Sequence, residues 1–251
     1  ETHLVFRLDP LATKVRSRLS ISRRAGVASN VPLLLDGEEL KLVSVTINGE
    51  AIGGNAYSVT PDKLTIHQLP EGTFTLEIET EIAPLSNKTL SGLYLAEGIY
   101  CTQCEAEGFR RMTYFHDRPD VLSVFSVRVE APQDVAPILL ANGNLTNSGK
   151  LEAGWHFAEW HDPHPKPSYL FALVGADLGV IRDEFTSVSG RKVDLRIYVE
   201  HGKENMADYA MDSLKRSMAW DEVRFGREYD LDIFMIVAVS SFNMGAMENK
   251  G

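Results

Sequence analysis

Alternation of apolar and polar residues with a period of two runs through the first two-thirds of this chain, and it restricts that part to β-sheet. Leu4, Phe6 and Leu8 alternate with Val5, Arg7 and Asp9. Val15, Leu19 and Ile21 alternate with Lys14, Arg16, Arg18 and Ser20, and Phe74, Leu76, Ile78 and Ile82 with Thr75, Glu77, Glu79 and Glu81. Successive side chains of a strand point to opposite faces, so each stretch puts one face on a core and one in water. Val43, Val45 and Ile47 lead into Asn48-Gly49, a hairpin signal because both residues tolerate positive φ. Further strands are expected over 121–130, 155–160 and 169–175. Pro61-Asp62, Leu69-Pro70-Glu71-Gly72, Asn142-Gly143-Asn144 and the prolines from Pro163 to Pro167 read as turns between them. Many short strands with regular turns predict a mainly β chain, an antiparallel sandwich or saddle-like sheet.

The pattern changes near residue 177. Val193, Leu195, Ile197 and Val199 make one more alternating strand. Residues 205–220 then carry Ala207, Ala210, Met211, Leu214 and Met218 at helical spacing, without internal Gly or Pro. Residues 231–239 follow, continuously apolar from Ile233 to Val239, which reads as a strand buried on both faces. Strand, helix and strand make an α/β beginning, so two domains are expected, 1–177 and 178–251.

Charge and length exclude several functions. Among 251 residues, 35 Asp and Glu outnumber 25 Lys and Arg, a net charge of -10 that repels phosphate backbones, so no nucleic-acid partner is expected. No apolar run reaches the ~18–20 residues of a membrane span. Two cysteines cannot build a disulfide framework and fit a reducing compartment without proving one. The chain opens at Glu1 inside an alternating segment and closes at Lys250-Gly251 just past an apolar run, and it reads as part of a longer protein.

No phosphate-binding loop, dinucleotide fingerprint, G-x-S-x-G elbow or H-E-x-x-H occurs, so no complete catalytic constellation is expected in this chain. Cys101 and Cys104 form a C-x-x-C without the second pair that a structural zinc site needs, and Glu105 and Glu107 beside them oppose a reactive thiolate. Two buried thiols are the simpler reading. His156, His161 and His164, with Asp162, are grouped, but a strand followed by a proline-constrained loop makes ordinary histidines the default. Asn87-Lys88-Thr89 and Asn144-Leu145-Thr146 are sequons of the kind that arise by chance. Two carboxylate sites carry more weight. One is Gln103-Cys104-Glu105, followed by Glu107-Gly108; the other is Met244-Gly245-Ala246-Met247-Glu248-Asn249. A Gly-Ala tip lets another backbone approach, and a strand edge there could pair with an extended peptide. On physics alone a solvated loop glutamate remains the simpler reading of each.

Gly245-Ala246-Met247-Glu248-Asn249 resembles the G-A-M-E-N signature of the zinc aminopeptidases of the aminopeptidase N type, the M1 gluzincin family. Gln103-x-Glu105 resembles their second substrate motif. The flanks 101–111, 117–121 and 166–174 look like the bacterial cytoplasmic alanyl aminopeptidase branch. Two motifs in the right order, about 140 residues apart with matching text between, make the resemblance specific.

The resemblance implies a β domain (1–177) covering one side of a thermolysin-like α/β catalytic domain that starts in 178–251. It implies that Glu105 and Glu248 bind the α-ammonium of a peptide with a free N-terminus, so that only exopeptidase cleavage is possible. Gln103 would assist Glu105, Gly245 and Ala246 would offer backbone to the substrate, and Met244 would line the first side-chain pocket, with Met247 and Asn249 completing the motif. Zinc would polarise the scissile carbonyl and activate water. In the family the zinc ligands and the general base follow the G-A-M-E-N motif, so this chain is expected to hold no metal ligand and no catalytic residue, and to be inactive alone. A monomer without a membrane partner is expected. A non-catalytic β-sandwich binding module and a leukotriene-hydrolase-like bifunctional relative are the competing readings.

Overall fold

The alternating segments close into one large twisted sheet. In the computed structural model, which describes residues 1–251, Thr2–Arg7 lies at its middle, parallel to Ser123–Pro132 and antiparallel to Thr13–Ser22. The eight strands run in the order Asn144–Lys150, Trp155–Lys166, Ser123–Pro132, Thr2–Arg7, Thr13–Ser22, Thr73–Ile82, Lys41–Ile47 and Glu50–Ala51. Val15 and Leu19 are buried while Lys14, Arg16 and Arg18 are exposed, as their spacing predicts. On the outer face Arg16 stands opposite Glu79 at 3.4 Å and Lys41 opposite Glu81 at 2.7 Å. Such exposed pairs contribute ~0–1 kcal/mol each, so the inner face carries the stability.

A second sheet packs inside the first, in the order Ile138–Ala141, Leu173–Ala176, Ile99–Gln103 and Gly92–Ala96. Every residue of Leu173–Ala176 and Ile99–Gln103 is buried, so both faces of this sheet are covered. One face meets the large sheet through aromatic rings: Phe171 lies 5.9 Å from Phe6 and 5.3 Å from Phe109, centroid to centroid. Met235, Val237 and Val239 come from the far end of the chain and pack against the same core. A smaller sheet, Leu33–Asp36, Lys63–Ile66 and Tyr57–Thr60, joins at the Asp36–Phe115 bridge.

The last quarter is a separate α/β unit. Gly179–Thr186 and Lys192–Val199 are antiparallel, and Ile233–Val237 lies parallel to Lys192–Val199. A parallel pair needs a crossover, and the helix Asp208–Phe225 supplies it. Met211, Leu214 and Met218, one helical stripe, pack with Val193, Leu195 and Ile197 in a core distinct from the first. The helix runs five residues beyond the predicted end and stops where Gly226 takes φ 64°, a left-handed cap that glycine adopts without a Cβ penalty.

Three local expectations are corrected. Ile233–Val237 is packed on both faces, Met235 and Val237 on the first core and Phe234 and Ile236 on the second, but only Ile233 is fully buried, because this is the edge strand of its sheet and pairs on one side only. The strand expected over 155–160 continues to Lys166 through Pro163 and Pro165. Its second neighbour stops pairing at Asn144–His161, and a bulge lies opposite at Ser123–Phe125, so the missing prolyl N–H groups cost no ladder bonds. The strand expected over 169–175 starts as the 3-10 turn Ser168–Leu170 and pairs as a strand only over Leu173–Ala176.

Phe6 is fully buried at the centre of the large sheet. Phe6→Ala should therefore lower unfolding free energy by about 3–5 kcal/mol through lost burial and the cavity left behind, read from urea denaturation midpoints.

Candidate functional site

Gln103 ends the strand Ile99–Gln103 and pairs with Gly92. It is 1% exposed, and neither Nε2 nor Oε1 of its amide has a hydrogen-bond partner within the chain. A buried amide left unpartnered costs ~1–3 kcal/mol, so such a group marks a place where polar atoms are held for something other than the fold. Beyond the buried Cys104 the backbone turns outward, and Glu105, Ala106 and Glu107 are exposed. A cis peptide joins Glu105 to Ala106. The loop closes with the Gly108 N–H donating to the Cys104 carbonyl at 2.9 Å. Only glycine fits there, because a Cβ on Gly108 would lie 2.4 Å from the Gln103 carbonyl oxygen and 2.9 Å from the Gly92 nitrogen. The 3-10 turn Phe109–Arg111 follows, with Phe109 in the core and the Arg110 Nε donating to the buried Asp117 carboxylate at 3.0 Å. The side chain of Glu105 thus rides on a short loop fastened at both ends.

The second carboxylate segment reaches the same end of the inner sheet. After Ile233–Val237 the Ala238 N–H donates to the Tyr198 carbonyl. The Tyr94 hydroxyl then donates to the Ser241 carbonyl at 3.0 Å, and the Asn243 amide to the Leu90 carbonyl at 3.0 Å. Passing from 241 to 243 therefore means passing from Tyr94 towards Gly92, the partner of Gln103. At the far side the Asn142 amide donates to the Lys250 carbonyl at 2.7 Å, just past the strand Ile138–Ala141. Residues 244–249 consequently arch across the end of the four-stranded sheet, from its Gly92 edge to its Asn142 edge. Four strands span ~14 Å, well within the reach of seven residue steps.

Within the arch Met244, Gly245, Ala246 and Glu248 are exposed, and Met247 and Asn249 are half-buried. The residues form no strand, so the Gly-Ala tip is an open arch rather than a sheet edge. A Cβ on Gly245 would meet nothing within 4 Å, so the packing of this chain does not demand glycine there. The Asn249 Oδ1 is buried and unpartnered, the second such amide at this end of the sheet.

Polar contacts hold the arch to the sheets. The Lys250 ammonium pairs with Asp230, which also faces His164 at 3.4 Å. Burial works to raise the Asp230 carboxyl, yet the Lys250 hydrogen bond and charge, aided by His164, outweigh it and hold the group below the ordinary carboxylate range.

The other sequence candidates have structural roles. Cys101 and Cys104 are buried and unbridged, and burial pushes both thiols up, away from a reactive thiolate. The three histidines do not converge: the His156 Nε2 lies 2.7 Å from the Ala136 carbonyl, and the His161 Nδ1 2.9 Å from the Ser126 hydroxyl. Asp162 is taken by Lys166 at 3.0 Å, a fully buried pair under the Phe125 ring. No group of three or more His, Cys, Asp or Glu side chains could hold a metal ion. Nor is any helix long and apolar enough to cross a membrane.

Sequence reading finds Gln103, Glu105 and the 244–249 arch by motif, and it misses Asn142, Asp117 and Tyr94, which fasten them. Asn142 carries only a turn signal, because the carbonyl it holds lies 108 residues away.

Comparison with known proteins gives consistent matches. Residues 3–170 match the Peptidase M1 N-terminal domain, and residues 209–251 match the Peptidase family M1 domain. The chain is 58% identical to an aminopeptidase N of Caulobacter vibrioides over 100% of its own length and 28% of that protein. It is 54% identical to an aminopeptidase N of Escherichia coli, over 99% of this chain and 28% of that one. Among solved structures, Legionella pneumophila aminopeptidase A in complex with aspartic acid superposes with a TM-score of 0.93 at 36% identity, covering 99% of this chain and 29% of that chain. An M1 zinc metallopeptidase from Deinococcus radiodurans, with a bound Tyr-Ser-Ala substrate, shares the fold with a TM-score of 0.79 at 18% identity, over 96% of this chain and 56% of its own. The chain thus spans about 28% of the length of the curated relatives it matches.

Gly108→Ala should displace the Glu105 loop, because its Cβ has backbone on two sides. The expected cost is about 1–3 kcal/mol of stability, read as a lowered thermal midpoint, with proteolytic cleavage appearing first at 104–111.

Proposed function

Because the chain belongs to the M1 peptidase family, we propose that it is the amine-recognition part of a zinc metalloaminopeptidase, the enzyme that removes N-terminal amino acids from peptides. One observation carries this reading: the segments that bear two exposed glutamates, about 140 residues apart, are brought to one end of one buried sheet, with the unpartnered Gln103 amide and the unpartnered Asn249 Oδ1 on the same segments. A primary ammonium has three N–H donors and no acceptor, and it is satisfied by acceptors alone. On this reading Glu105 and Glu248 supply the carboxylate oxygens, and the buried, unpartnered Gln103 Oε1, two residues before Glu105, is a further acceptor. A mid-chain peptide brings no ammonium and would leave both carboxylates desolvated and unpaired, which selects for a free N-terminus.

The arch serves the rest of the substrate. Gly245 and Ala246 expose backbone with no side chain in the way, so an extended peptide can lie along them through main-chain hydrogen bonds. Met244, 46% exposed at the start of the arch, offers a flexible thioether to the first side chain, suited to several apolar residues. Met247 and Asn249 complete the G-A-M-E-N motif, the Asn249 Oδ1 facing inward.

Zinc belongs to the reading of the whole enzyme, but the residues of this chain do not fit it. We assign the zinc ligands, the general base and any other catalytic residue to sequence outside these 251 residues. The division into 1–177 and 178–251 is supported by the change of sheet between Leu173–Ala176 and Gly179–Thr186. A cytoplasmic, monomeric enzyme without nucleic-acid or membrane partners is the matching placement, supported by the two unbridged cysteines and the net charge of -10.

In the full-length enzyme, Glu105→Gln or Glu248→Gln should each raise KM for an aminoacyl nitroanilide about 10- to 100-fold, the size of one charge-assisted hydrogen bond, with kcat less affected. An N-acetylated substrate should not be turned over by any variant. Unchanged KM in both variants would reject the ammonium assignment.

A further inference from the structure

A line of buried polar groups joins the two glutamate-bearing segments beneath the site. It starts at the Glu105 loop. There the Arg110 backbone N–H and Nε both donate to the Asp117 Oδ2, at 3.1 and 3.0 Å, and the Arg110 Nη2 donates to the Asp117 carbonyl at 2.9 Å. The other carboxylate oxygen of Asp117 accepts from the Ser168 hydroxyl at 2.5 Å. Ser168 opens the 3-10 turn that ends at Leu170, and the Leu170 carbonyl accepts from the Asn142 amide at 3.0 Å. The same amide nitrogen donates its other hydrogen to the Lys250 carbonyl at 2.7 Å, two residues past Glu248. The Asn142 Oδ1 is used as well, accepting from the Ala172 N–H at 2.8 Å. Asp117, Ser168 and Asn142 are 3%, 1% and 3% exposed.

We propose that Asp117, Ser168 and Asn142 form a positioning chain that fixes the distance between Glu105 and Glu248. The proposal rests on the reading of those two glutamates as ligands of the substrate ammonium. Buried polar groups in any fold find partners, so satisfaction alone proves no role. What distinguishes this set is where its ends lie. One end grips the 3-10 turn that follows Glu105, the other grips the backbone that follows Glu248, and no member touches the substrate side. Asn142 is the decisive link. It sits just past the strand Ile138–Ala141 and holds the arch at its far edge, and both hydrogens of one amide are divided between the two units. Next to it, Asn144 makes a different tie, accepting from the Asp232 N–H and donating to its carboxylate, both at 2.9 Å. That tie holds the start of the edge strand and not the arch. Two carboxylates that must share one ammonium tolerate little error in their separation, since a displacement of about 1 Å already weakens productive geometry.

The test is a double-mutant cycle in the full-length enzyme, measured with alanine para-nitroanilide. Asn142→Ala should raise KM about 5- to 10-fold with kcat within about twofold, the size of one positioning hydrogen bond. In the Glu248→Gln background the same change should add no further rise, because the group it positions is gone. Asn144→Ala should leave KM unaltered while lowering thermal stability. An equal rise in both backgrounds, no rise at all, or an equal effect of Asn144→Ala would overturn the proposal. If Glu248→Gln by itself leaves KM unchanged, the ammonium reading fails first and the proposal with it. Should Asn142→Ala not fold, Ser168→Ala removes the link one step earlier and should show the same KM rise, cancelled by Glu248→Gln.

Discussion

A β-sheet with no exposed residue in its central strands must be covered on both faces, and that requirement organises this molecule. Leu173–Ala176 and Ile99–Gln103 are buried throughout. The large sheet covers one face through Phe6 and Phe125, whose rings meet those of Phe109 and Phe171. The last quarter of the chain adds Met235, Val237 and Val239 to the same core. Apolar burial of this kind stabilises at roughly 25 cal/mol per Å² and has no direction of its own. It brings residues 238–251 against the sheet without deciding where along it they rest.

Direction comes from the polar contacts at the rim. Tyr94 to Ser241, Asn243 to Leu90, Asn142 to Lys250 and Asn144 to Asp232 all join the β part to the α/β unit. Each is modest, ~0.5–1.5 kcal/mol net, but each is wrong by its full desolvation cost if the register slips. The seam is therefore greasy in the middle and keyed at its edge, like interfaces between domains of one chain. Of these, Asn243 to Leu90 and Asn142 to Lys250, at the two sides of the inner sheet, set where the arch of 244–249 begins and ends.

Much of this was legible in the sequence, and the failures are physical. In Thr13–Ser22 the inward and outward residues could be read one by one, because period-2 alternation is the signature of a half-buried strand. Pro163 and Pro165 read as a turn, because a proline costs a ladder bond only where a neighbour waits to receive it, and pairing partners are not visible locally. Ile233–Val237 read as fully buried; both its faces do pack, but a continuous apolar run does not say that the strand lies at an edge, where its side chains stay partly exposed. Gln103, Glu105 and Glu248 came from motif resemblance; their own chemistry, an amide and two loop carboxylates, is ordinary until the fold brings their segments to one end of the inner sheet. Asn142 was the least legible, since side-chain amides are used for turns far more often than for holding a carbonyl 108 residues away.

On the proposed reading, a recognition site split across two structural units has a consequence for selectivity. If Glu105 and Glu248 sat on one rigid loop, their spacing would be fixed by local geometry and any neighbouring change would leave it intact. Here one rides on the β part and the other on the chain that leaves the α/β unit, so their spacing is a property of the seam. Two like charges held near each other repel and gain nothing until a cation arrives between them. On that reading a free N-terminus satisfies both carboxylates and bridges the two units that carry them. The unpartnered amides of Gln103 and Asn249 fit that arrangement, because groups satisfied only in the bound state stabilise the complex and not the free protein. On the proposed reading, the preference for a free amine is thus built into the same contacts that hold the two parts of the fold in register.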